Sequence, residues 1–484
     1  MNIFSLILLI ILFVISNTKL ILPLKFINVN QTYNKIDQDF LSSLYSNNLY
    51  LNMSIGSNEE IIKGILDMEQ IGFYIYENAY SYNLSSSFMK TNKSKNFYKR
   101  NNEEGFISND TICLNHINDI INNKFEKCEE NKKVSFVLLK SNQKNIEENI
   151  YETYSIIGLQ QNDYFDEKVT PLFVQSLKES NIIDSHLFSF YFNKNENGVS
   201  NEFIGYLLLG NNSEIKENEN IEIIKFSTER KYGFPFWGIT FDQVSIGLNN
   251  SNNTSASGDN KYKTFQKEVE LVASLPYILG IYDYNVHVKF YFFYDLLQKN
   301  ICKYVPVPYN PEYSTYVCDG KSDLFIQYYN TKFTNLYFIH KDSNTTFVLD
   351  KNDLFSYNFN NKSDTHIYFL VLFYNSLTNY DRIKRFKLGI PFFKKYNFSF
   401  HPEDRVINYY RNKIMNNNEK EDKIRNNDSF VIFIKIIIII VLLVIVFCLG
   451  ILFHKFVIKS HKKKLANELD DDYEYKTNPI INSE

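Results

Sequence analysis

The residues best equipped for chemistry in this 484-residue chain are its five cysteines, its eight histidines and its many carboxylates. Cys448 lies in a long apolar run, which leaves Cys113, Cys128, Cys302 and Cys318, an even number that permits full pairing. Four cysteines allow three connectivities. The short intervals favour Cys113 with Cys128 and Cys302 with Cys318, because a short loop costs the least entropy to close. The histidines are scattered, with no HExxH and no Cys/His cluster, so neither a metal site nor a cofactor is expected. A GxSxG elbow, a P-loop and a Gly-rich dinucleotide fingerprint are all missing. With 52 Lys+Arg against 55 Asp+Glu the formal net charge is −3, which provides no basic field for nucleic acid.

Two apolar segments set the expected topology of the elements that carry these residues. Residues 1–18 contain the run from Ile3 to Ile15, the length of a signal-peptide core and short for a membrane span. Residues 430–453 form a second run, uninterrupted from Ile436 to Phe453, with Lys435 able to snorkel toward a headgroup. Lys455, Lys459, Lys462, Lys463 and Lys464 follow it directly. The positive-inside rule therefore places 454–484 in the cytoplasm and the preceding chain in the lumen or outside the cell. The expectation is a single-pass type I protein of the secretory pathway or cell-surface membrane, in a compartment that suits disulfides. There, sequons such as Asn83-Leu84-Ser85 and Asn344-Thr345-Thr346 are permissive for glycosylation.

Between these segments the composition, 44% hydrophobic and 16% aromatic, is that of a folded chain, and the length suits two or three lobes. Strand-length runs recur, such as Phe188–Phe192 and Phe203–Leu209, the latter stopping at the turn residues Gly210-Asn211-Asn212. No long amphipathic helix pattern emerges. Low-complexity stretches at 249–260 and 416–428 read as a loop insert and as part of a stalk spanning 411–429.

The stretch Tyr50-Leu51-Asn52-Met53-Ser54-Ile55-Gly56, followed by Gly64-Ile65-Leu66-Asp67, resembles the opening strands of the pepsin-like aspartic proteases, of the plasmepsin and cathepsin D type. Tyr98 and Gly105–Ile112 resemble the flap tyrosine and the strand after it, and Ser155-Ile156-Ile157-Gly158-Leu159 resembles the family's D-G-I-L-G-L. Pro171-Leu172-Phe173 through Tyr191, Phe236-Trp237-Gly238-Ile239 and Phe386–Tyr396 continue the match in the same order. The resemblance implies an all-β, bilobal pepsin-like fold, with lobes at 45–215 and 235–410 joined by 216–234; the apolar run at 430–453 adds a C-terminal transmembrane helix. The resemblance also implies that Cys302 and Cys318 form a C-lobe disulfide.

In that family two carboxylates share one proton and hold one water, so both are required. The resemblance puts Asp67 at the first catalytic position, in the triplet Asp67-Met68-Glu69, and Ala273 at the second, in Val272-Ala273-Ser274-Leu275. A methyl group exchanges no proton. Glu69 stands where the family has a glycine, and Lys99-Arg100-Asn101-Asn102 replaces the glycine-rich flap tip beside Tyr98. The expectation is a pseudoenzyme that binds a peptide or protein ligand, the alternatives being an active aspartic endopeptidase with an atypical dyad and a surface adhesin or receptor.

Overall fold

The computed structural model describes residues 20–27, 48–97, 103–114, 132–140, 154–161, 170–193, 204–210, 220–228, 230–231, 234–246, 263–307, 310–357, 366–375 and 385–412. The expected leader, membrane span and tail, the stalk beyond Asn412, Tyr98 and Cys128 lie outside these, while the stalk's first two residues, Arg411 and Asn412, are strand. Among the described residues no helix is long and apolar enough to cross a membrane.

The first half of the chain supplies β1 (Leu20–Ile27), β2 (Asn48–Ile55), β3 (Glu60–Asp67), β4 (Phe73–Tyr76), β5 (Met89–Phe97) and β6 (Glu103–Leu114). It continues with β7 (Lys133–Leu139), β8 (Ser155–Gly158), helix α1 (Phe173–Glu179), β9 (Phe188–Phe192), β10 (Gly205–Leu209) and β11 (Ile221–Ser227). A small ribbon, β12 (Arg230–Lys231) and β13 (Phe234–Pro235), leads to the second half.

That half opens with β14 (Gly238–Ile246), β15 (Lys263–Leu271) and β16 (Ile278–Gly280). A helical stretch follows: α2 (Tyr282–Val288), a π-helical segment (Lys289–Phe293) and α3 (Tyr294–Gln298). Next come β17 (Cys302–Val307), β18 (Asn310–Asp319), α4 (Asp323–Thr331), β19 (Leu336–His340), β20 (Thr345–Leu349) and α5 (Lys351–Leu354). The remainder is β21 (Phe355–Tyr357), β22 (His366–Phe369), β23 (Val371–Tyr374), β24 (Phe386–Leu388), α6 (Ile390–Phe393), β25 (Phe398–His401) and β26 (Val406–Asn412).

The two halves repeat one pairing scheme. In the first, β2 runs antiparallel to β3, β3 parallel to β8, β8 antiparallel to β4, β4 parallel to β7 and β7 antiparallel to β6. In the second the same alternation runs β14, β15, β24, β16, β23, β18. This mostly β architecture with two sheets is consistent with a bilobal pepsin-like fold.

The strands that tie the halves together lie partly outside the lobe ranges read from sequence: β9, β10 and β25 fall within them, β1 and β11 do not. The larger sheet has 13 strands in the order β11-β26-β25-β9-β10-β1-β2-β3-β8-β4-β7-β6-β5. It therefore takes in β1, ahead of residue 45, and β11, within the 216–234 connection. It also draws β25 and β26, the last strands of the described residues, to pair with β9 and β11. Apolar side chains facing one another across these pairings fuse the cores, so that Phe188 stacks on Phe400 with ring centroids 5.0 Å apart.

Cys302 and Cys318 face each other across β17 and β18 and are disulfide-bonded, as the short interval indicated. Cys113 is also disulfide-bonded. Replacing both Cys302 and Cys318 with alanine should lower stability by about 3 kcal/mol, the loop-closure entropy of a 16-residue separation, as read by urea denaturation.

Candidate functional site

Each half ends its central parallel pair in a loop that turns over a glycine. In the first, β3 finishes at Asp67 beside Gly158 of β8, and the loop 68–72 crosses above that glycine. A Cβ on Gly158 would run into the carbonyl oxygens of Gln70 and Gly72, so only glycine lets the loop sit this close. In the second, β15 leads into 272–277, which crosses above Gly389, where a Cβ would meet the carbonyls of Leu275 and Tyr277. The loop's left-handed residue is Gly72, at φ +109°, and Glu69 lies outside the left-handed region. The first loop thus turns without the glycine that Glu69 replaces.

The two loops meet. Met68 donates its backbone N–H to Ser274 Oγ at 3.5 Å, and the Ala273 N–H points at Met68 Sδ at 3.0 Å. Both Met68 and Ala273 are buried. Asp67 is partly exposed, and its Oδ1 accepts the Glu69 N–H at 2.8 Å, an Asx-type turn that fixes the carboxylate at the strand end.

Two structural criteria give the counterpart of Asp67 in the second half. Met68 touches both Ser274 and the Ala273 N–H: pairing it with Ser274 as the second residue of each triplet sets Ala273 against Asp67, and pairing it with Ala273, the shorter contact, sets Val272 there. The strand register sets Leu66 opposite Ile157 and Leu271 opposite Leu388, each one residue before its glycine, which makes Val272 the equivalent. Val272 and Ala273 are both at most 1% exposed and neither carries a titratable group.

The carboxylates that do lie near the junction are engaged elsewhere. Glu69 forms an ion pair with Lys387 on β24, 318 residues along the chain. Lys387 also lies 3.9 Å from Glu270 on β15, its neighbour in strand register. Burial pushes the Glu270 carboxyl up from the usual range, Lys387 opposes the rise and Glu69 adds to it. For Lys387, burial pulls the ammonium down, but Glu69 and Glu270 together leave it above its ordinary value. Arg385 completes the group, 3.5 Å from Glu268 and over the Phe236 ring. Sequence reading missed this cluster, since nothing local to Glu69 points to a lysine in the last strands.

Removing that lysine should expose the arrangement. Lys387→Met leaves Glu270 buried beside Glu69 without its cation, a loss of about 3 kcal/mol at neutral pH. A carboxyl whose folded pKa is raised binds its proton more tightly in the folded state. The variant's deficit should therefore shrink as pH falls toward the ordinary glutamate value of about 4.3. Urea denaturation at neutral and mildly acid pH, followed by Trp237 fluorescence, reads the difference.

A second polar cluster lies where β6 crosses the 80–87 segment. Asp110 is fully buried and accepts from the hydroxyls of Tyr80, Ser85 and Ser87 and from the Thr111 N–H. Burial, and then the bond to Asp110, push the Tyr80 phenol up. Saturated with four donors, this carboxylate anchors the root of the β5–β6 hairpin, whose connecting residues include Tyr98. Among the described residues no group of three His, Cys, Asp or Glu side chains is placed to hold a metal ion.

The family model of the eukaryotic aspartyl protease matches residues 55–260. The matched region includes Asp67 and ends before Val272 and Ala273. A search of the curated proteins finds no match.

Proposed function

Taking residues 55–260 as a eukaryotic aspartyl protease domain, we propose that this chain is a membrane-anchored pepsin-like pseudoenzyme whose inter-lobe region binds a peptide or protein ligand without cleaving it. The observation that carries this reading is the apolar, buried residue opposite Asp67, whether it is counted as Val272 or as Ala273. Neither Val272 nor Ala273 can supply the second acid of a proton-sharing pair, in which one pKa is raised and the other lowered. Glu69, the acid nearest Asp67 in sequence, is held by Lys387. If the chain were nonetheless active, its reaction would be that of an aspartic-type endopeptidase.

Fluorescence anisotropy with labelled unstructured peptides tests the binding half. Saturable binding, with the peptide recovered intact, is the expected result, and its absence across a varied peptide set would refute a peptide-binding role. Anchoring has its own test. In intact, sealed cells an epitope at Glu484 should resist external protease, and digestion from outside would overturn the type I topology.

A further inference from the structure

The helical stretch from α2 through α3 is apolar on both faces. Its inner face buries Tyr284, Val288, Phe292, Phe293 and Leu296, with Phe293 stacked on Tyr316 at 3.8 Å. Its outer face leaves Tyr282, Val286, Phe290, Tyr291 and Tyr294 between 41% and 70% exposed. Tyr282, Val286, Phe290 and Tyr294 recur every fourth residue, and Phe290 touches both Tyr291 and Tyr294, with centroids 5.8 and 5.9 Å apart. Only four other large apolar residues among those described are comparably exposed, and these five fall within 13 positions. A concentration of this kind marks a docking surface.

We infer that this face docks on the lipid surface of the membrane in which the chain is anchored, an inference that rests on the anchored reading above. Three observations favour a bilayer as the occupant. The last described strand ends at Asn412, and the apolar run begins at 430. Those 17 intervening residues reach at most about 60 Å even fully extended, which is about the width of a domain this size. The residue types are those that bilayer interfaces take up, tyrosine and phenylalanine with lysines alongside, here the exposed Lys289 and Lys299. Of the two acids on the stretch, Asp295 is already engaged by Tyr328 and Lys332, and Asp283 stands at its first turn.

The test uses the full chain with Cys448→Ser, reconstituted in phosphatidylcholine/phosphatidylserine vesicles and spin-labelled at Phe290→Cys or Tyr294→Cys, with Asp342→Cys as an exposed control. Collision with lipid-soluble oxygen should rise relative to collision with an aqueous nickel chelate at 290 and 294, and stay at the aqueous level at 342. A chain that resists carbonate extraction but keeps 290 and 294 as water-accessible as 342 overturns the docking and leaves the anchoring intact. Dipolar broadening between labels means that a second copy covers the face, and also overturns it. A chain released by carbonate overturns the anchoring and the docking together.

Discussion

Ala273→Asp is expected to destabilise the fold by about 3–5 kcal/mol at neutral pH and to yield no peptide turnover. The side chain at 273 is fully buried in the continuous core, and its N–H faces the sulfur of Met68 rather than water. A carboxylate there loses its hydration and gains no cation, because Lys387, the lysine at this junction, is already shared by Glu69 and Glu270. The introduced acid keeps its proton to a higher pH when folded than when unfolded. The destabilisation should therefore fade as pH is lowered toward about 4, the ordinary aspartate value. Turnover still fails at that pH, since a working dyad needs both groups held to about half an ångström and this junction is built around a thioether and a methyl group. Chemical denaturation of the variant at neutral and acid pH, with a peptide cleavage assay alongside, reads both parts. Val272→Asp, the alternative set by the strand register, should behave in the same way.

The second large effect is expected at Trp237, the chain's single tryptophan, 1% exposed just ahead of β14. Its indole lies edge-on to Phe188 and Phe400, with centroids 5.7 and 5.1 Å away, and its Nε1–H donates to the Leu159 carbonyl at 2.7 Å. One side chain thus joins β9, β25 and the end of β8, elements from the beginning, middle and end of the fold. Trp237→Ala should cost about 3–5 kcal/mol through the cavity it opens, with the stranded Leu159 carbonyl adding to the loss. Trp237→Phe should cost less, because the ring contacts survive and only the hydrogen bond and part of the volume are lost. Circular dichroism during thermal or urea unfolding measures both variants without relying on the deleted fluorophore.

Much of this was legible in the sequence wherever local pattern governs structure. Phe188–Phe192 and Gly205–Leu209 are the strands that their composition indicated, and Gly210 turns with φ +88° where the second run stops. Asp67 ends its strand beside Gly158, and Gly389 lies under the 272–277 loop, both glycines falling in segments on which the resemblance rested. Residues 282–298 were not legible as helix. Tyrosine, phenylalanine and valine dominate them, residues of high strand propensity, and apolar side chains on both faces erase the amphipathic period. Nor did local pattern indicate that β25 and β26 return to β9 and β11, or that Lys387 reaches Glu69. These partners lie far apart along the chain, and only the closed sheets bring them together.

The measurement that bears most directly on the central claim is incubation of the purified full-length protein with a mixture of unstructured peptides at acid pH, with Asp67→Ala in parallel. New peptide termini are then counted by mass spectrometry. With an apolar residue opposite Asp67, the native protein should generate no termini beyond those seen with Asp67→Ala. Cleavage by the native protein that Asp67→Ala abolishes would contradict the account and establish an aspartic endopeptidase with an unusual dyad.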